Sequence, residues 1–180
     1  MTKLMSVSSR AVTLLLIAGS LTVGALAEDS DAILGSTLIG STPGQVIGGV
    51  TSGGLPWNVS HGRVTVNANG NVRLEVDGLI LPSLGTTGPV TGVSASLVCG
   101  GSGGTVAATT AAVPLTPAGD ARIHDKISAP ASCIAPVILV RVAAVNGTPL
   151  AQPGPFIAAT GFNHTSGDKD SKEQDSADRF

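Results

Sequence analysis

Gly100-Gly101-Ser102-Gly103-Gly104 stands immediately after Cys99 and satisfies the G-x-S-x-G pattern of hydrolase nucleophiles. In that chemistry the serine hydroxyl attacks an acyl carbon, a histidine takes its proton and an acid orients the histidine. A helix beginning at the turn helps to hold the oxyanion. The acids that follow, Asp120 and Asp125, lie only 18 and 23 residues on with His124 between them, too close for a hydrolase sheet to form in between. Four glycines in five positions are explained more simply by a flexible turn.

The frame also differs from the trypsin-type Gly-Asp-Ser-Gly-Gly by its missing acid, and His61 sits in Val59-Ser60-His61-Gly62, without the alanine and cysteine context of that class. The expectation is therefore that Ser102 is a turn residue and that there are no catalytic residues; a small secreted serine hydrolase using Ser102 is the alternative. His61, His124 and His164 are scattered, and no pair has metal-ligand spacing. Asp168-Lys169-Asp170 has half the spacing of a calcium loop but lacks its glycine and closing glutamate. No metal and no cofactor are expected. The two cysteines, Cys99 and Cys133, are expected to form one disulfide, as the economical use of two thiols in an exported chain.

The elements that must position these residues read as strands. Between Gly62 and Leu79, Val64 and Val66 alternate with polar neighbours, as do Val72, Leu74 and Val76, with Asn69-Gly70 between the halves. Period two around Asn-Gly predicts a β-hairpin with one buried face. Further strands are predicted over 92–99, 105–115, 121–127, 136–143 and 155–162, making seven. Val137-Ile138-Leu139-Val140 has the continuous apolar, β-branched character of a central strand covered on both sides. In 105–113, Thr and Val with bounding Gly and Pro favour strand over helix. In 121–127, Ala121, Ile123 and Ile127 share a face that Asp125 interrupts.

These elements predict an all-β fold, a single sandwich of about seven strands, Ig-like in the broad sense, over residues 57–162. The Ig variable-type pattern itself is absent, because Trp57 precedes both cysteines. Residues 28–56 hold no sustained period and are expected to form a Gly-rich arm, with Ile33-Leu34, Leu38-Ile39 and Val46-Ile47 docking on a sheet edge. Such an arm can pair in cis or cross to another copy in trans; cis is favoured because a tethered arm avoids the entropy of association. Residues 163–180 are almost wholly polar and are expected to be a disordered tail.

Lys3 and Arg10, the apolar run 11–26 and Ala25-Leu26-Ala27 have the layout of a cleaved secretory signal over residues 1–27. The exported chain would begin at Glu28, with no lipid-accepting cysteine at the cleavage site. Removing Lys3 and Arg10 from the ten Lys and Arg leaves eight against twelve Asp and Glu, a net of −4. Residues 57–162 carry five basic and four acidic side chains, which along the chain shows no basic stripe and argues against nucleic acid or acidic lipid as partner. One Trp, three Phe and no Tyr leave no aromatic platform for carbohydrate. Asn58-Val59-Ser60, Asn146-Gly147-Thr148 and Asn163-His164-Thr165 fit the glycosylation pattern.

Gly53-Gly54-Leu55-Pro56-Trp57, the hairpin to Leu79, Gly119-Asp120-Ala121-Arg122-Ile123 and Ala158-Ala159-Thr160-Gly161-Phe162 resemble a group of small exported proteins of high-GC Gram-positive bacteria. The resemblance spans about residues 33–162 and implies bacterial origin and export, with no chemistry attached. The hairpin alone is similar to the opening of the domain repeated in chordin, but the later His-x-His of that domain is missing. The expected function is that of a non-catalytic secreted protein, acting by contact with another protein or a second copy of itself in the cell envelope or extracellular space.

Overall fold

The computed structural model describes residues 32–162, so the expected signal and polar tail lie outside the described residues. Twelve strands follow in chain order: β1 (Ala32–Gly40), β2 (Val46–Ile47), β3 (Val50–Thr51), β4 (His61–Asn67), β5 (Asn71–Asp77) and β6 (Val90–Cys99), then β7 (Thr105–Thr109), β8 (Val113–Pro114), β9 (Ala121–Lys126), β10 (Val137–Val145), β11 (Thr148–Pro149) and β12 (Phe156–Thr160). All seven predicted strands are present, as β4, β5, β6, β7 with β8, β9, β10 and β12. The hairpin β4–β5 forms where period two placed it, with Val64 opposite Leu74 and Val66 opposite Val72. Gly70 closes its turn at φ +85°, where a Cβ would stand 2.1 Å from the Ile127 carbonyl oxygen.

One antiparallel sheet runs in the order β7-β6-β10-β12-β1-β4-β5-β9 and curls so that β9 meets β8. The core lies inside the curl, with Leu74, Ile123, Leu97, Ile138 and Ile157 wholly buried. The hinge of the curl is β1. Its first half pairs with β4, from Ala32 opposite Asn67 to Thr37 opposite Arg63, and its second half pairs with β12, from Leu38 opposite Thr160 to Gly40 opposite Ala158. This corrects the expected arm: the segment contributes an interior eighth strand in cis, where docking on an edge was expected. The physical reason is that Leu34 and Leu38 turn into the core, while the backbone satisfies partners on both sides.

The short hairpin β2–β3 has a separate task. Val98, Leu139, Phe156 and Ala159 form an apolar patch on the outer side of β6, β10 and β12, and Ile47 and Val50 pack over it. Hence the double-sided burial of β10 that its unbroken apolar run predicted.

The edge made by β7 and β8 is interrupted at Thr110, which holds the break together. Its backbone N–H donates to the Ala95 carbonyl at 2.9 Å, and its Oγ1 accepts the Ala95 N–H at 3.0 Å in place of a ladder carbonyl. Thr110→Val keeps the shape and removes that acceptor. Leaving a buried N–H unpaired costs about 2 kcal/mol, and urea unfolding of the variant is expected to show a loss of that order with an unchanged slope. An unshifted midpoint would mean the edge tolerates the break without the hydroxyl.

Candidate functional site

Ser102 lies in a single 3-10 turn, Gly101–Gly103, between β6 and β7. Gly100 and Gly101 adopt φ of +98° and +65°, which glycine reaches without strain. A Cβ on Gly104 would fall 1.9 Å from the Cys99 carbonyl oxygen. Three of the four glycines are thus required by the path of the chain. The turn is moored by Gly100 N–H donating to the Ile134 carbonyl at 2.7 Å and Gly101 N–H to the Ala135 carbonyl at 3.1 Å. Cys99 and Cys133 form the expected disulfide beside it, with their Cα atoms 5.0 Å apart. They join the end of β6 to the approach to its sheet neighbour β10.

What the turn does is visible in one bond: the Ser102 carbonyl accepts the N–H of Gly48, at the tip of β2–β3, at 3.0 Å. A Cβ on Gly48 would meet the Val98 methyls at 2.7 Å, so the hairpin sits flush on the sheet. The triad partners are elsewhere. His61 and His124 are carried by β4 and β9, and His164 lies outside the described residues. The Asp120 carboxylate accepts the Gly78 N–H at 3.1 Å and that of Asp125 accepts the Ala111 N–H at 2.7 Å. After the turn the chain enters β7, where a nucleophile elbow would start a helix.

The polar functional groups gather on the outer face of β4, β5 and β9. Register sets them in rows across the strands. Thr37, Arg63, Glu75 and Arg122 form one row, and Gly35, Thr65, Arg73 and His124 form the next. Asn71 and Lys126 follow as a third. In the first row Arg122 is fully engaged, with Nε 2.8 Å from Glu75 Oε1 and Nη2 2.8 Å from Asp77 Oδ1. Its hydrogen bond to Asp77 holds the guanidinium above its ordinary range, against a smaller opposing effect of burial. Arg63 reaches Glu75 only loosely, at 3.8 Å, with most of its side chain in solvent.

Comparison with protein-family models, with curated proteins and with solved structures finds no match.

The second row differs from the first. It contains no carboxylate, and among the described residues Arg73 has no ion-pair partner. Two shallow concavities of about 320 and 460 Å³ meet on this face, and Arg73 and His124 line both. Alternation turns Asp125 toward Ala111, whose N–H it accepts, yet it still borders the larger concavity beside Lys126, so the carboxylates within the strand rows are Glu75 and Asp77. Four of the five basic residues of 57–162 thus share one face with Glu75 and Asp77, with Asp120 near Arg122 and Asp125 at the rim. The fifth, Arg141 on β10 in the other half of the sheet, donates to the Gly154 and Pro153 carbonyls ahead of β12, and burial lowers its pKa. Counting charge along the chain hides this face, because strand register brings its members together.

A smaller apolar hollow of about 190 Å³ lies beside Trp57 and Ile157. Among the described residues no group of three His, Cys, Asp or Glu is placed to hold a metal ion, and no helix is long and apolar enough to cross a membrane.

Proposed function

We propose that this is a non-catalytic exported β-sandwich that acts by contact with a protein partner in the cell envelope or extracellular space. The observation that carries the reading is the division of labour between the two outer faces. The face of β6, β10 and β12 is sealed by its own hairpin, which the backbone carbonyl of Ser102 helps to moor. The face of β4, β5 and β9 is open, charged and turned to solvent, which is the character of a polar recognition surface. Export is supported by the disulfide, a cross-link favoured in oxidising compartments.

A fluorophosphonate probe tests the reading directly. The purified protein is expected to remain unlabelled under conditions that label a serine hydrolase to completion. Stoichiometric labelling that disappears in Ser102→Ala would replace contact with acyl-transfer chemistry.

A further inference from the structure

Resting on the contact reading, we infer that the outer face of β4, β5 and β9 binds an extended acidic peptide segment, one carrying carboxylates at alternate positions. Arg63, Arg73 and Lys126 lie on three successive strands, each displaced by one row from the last. Arg63 is opposite Glu75, two residues along β5 from Arg73, and Arg73 is opposite His124, two residues along β9 from Lys126. The three cations therefore form a straight diagonal. Diagonal neighbours on one face of a sheet stand about 7–8 Å apart. An extended peptide rises about 3.3 Å per residue, so every second side chain recurs at about 6.6 Å on one side. The two spacings agree within the reach of flexible arginine and lysine side chains.

Charge complementarity selects this occupant. On the diagonal, Arg73 has no ion pair, Arg63 is held only at 3.8 Å, and no carboxylate of the described residues lies within ion-pair distance of Lys126. Glu75 and Asp77 are drawn to Arg122, on the other side of Arg73 from Lys126. Space above the sheet permits a chain to lie across it: one open concavity is lined by Arg63, Arg73 and His124 and the next by Arg73, His124 and Lys126. None of the large exposed apolar side chains is carried by β4, β5 or β9, the nearest by strand pairing being Ile33 on β1, which leaves a membrane no anchor on the three strands of the diagonal. Nor do β4, β5 and β9 carry a Trp, Tyr or Phe for stacked bases, their rings being the small imidazoles of His61 and His124.

Two capped heptapeptides of one composition separate spacing from charge: Gly-Asp-Gly-Asp-Gly-Asp-Gly and Gly-Gly-Asp-Asp-Asp-Gly-Gly. They are titrated by heteronuclear NMR into the full exported protein at low salt, following Arg73, His124 and Lys126. The alternating peptide is expected to bind at least about threefold more tightly, the scale of one exposed ion pair. Arg73→Gln and Lys126→Gln, both exposed and expected to fold normally, should each weaken it by a similar factor. Equal affinity for the two peptides, or full binding by both variants, would overturn the inference, as would binding of oligothymidylate or polygalacturonate in preference to either peptide. The fluorophosphonate assay on the same sample separates two failures. Unlabelled protein that ignores both peptides refutes this inference alone, whereas labelled Ser102 refutes the contact reading beneath it.

Discussion

A protein lacking residues 28–52 will not fold. These residues include β1, which is hydrogen-bonded to β12 through Leu38, Ile39 and Gly40 and to β4 through Ala32 to Thr37. Without it the hydrogen-bonded ladder is broken between β12 and β4, and the backbone groups of β4 and β12 that faced β1 lose their partners together. The deletion also takes away β2–β3 and uncovers Val98, Leu139 and Phe156, each at most 1% exposed in the intact protein. Burying a large apolar side chain is worth about 1.5–3 kcal/mol, so the loss from these side chains alone rivals the 5–15 kcal/mol that holds a typical domain together. The expected result is a chain without a cooperative urea transition and with Trp57 fluorescence already at its unfolded position. A sharp transition in the truncated chain would show that β1 is dispensable. It follows that this deletion cannot report on strand exchange between copies, since it removes the fold along with the segment.

Opening the disulfide has the second-largest effect. Cys99 and Cys133 close a loop of 34 residues, and the chain-entropy treatment assigns such a link roughly 3.5 kcal/mol through the unfolded state. Cys99→Ala, Cys133→Ala and the double variant are expected to lose the same amount, because one cross-link is lost in each. Urea midpoints measure this, and intact mass should sit about two daltons below the dithiol value before reduction. Quantitative alkylation of both thiols in the native exported protein would contradict the link.

The hairpin β4–β5, the strand content and the cysteine pair were legible in the sequence because each is carried by neighbours or by elimination: strict alternation around Asn69-Gly70, short apolar runs between turn residues, two thiols. β1 was not. Its pairing shifts register between Ala32 and Leu34, and it changes partner strand at Leu38, so no single period survives along its nine residues. Its small residues answer to distant chain: a Cβ on Gly40 would lie 1.9 Å from the Trp57 carbonyl oxygen. The charged face was hidden for a related reason. Arg63, Arg73 and Lys126 are up to 63 residues apart in the chain, and only the pairing of β4 with β5 and of β5 with β9 makes them neighbours. Asp125, adjacent to Lys126 in sequence, is turned by alternation toward Ala111, to the rim of that face.

The place where the two ends of the fold meet has a mechanical consequence. Gly161 N–H donates to the Thr37 carbonyl at 3.1 Å, and the Thr37 hydroxyl donates back to the Gly161 carbonyl. Because β1 and β12 are antiparallel, the chain enters along β1 and leaves along β12 on the same side of the sheet. Tension applied through both ends would therefore load these bonds first, opening them in succession like a zipper rather than shearing a whole ladder at once. A strand that joins both halves of the sheet is also the tab by which the molecule comes apart.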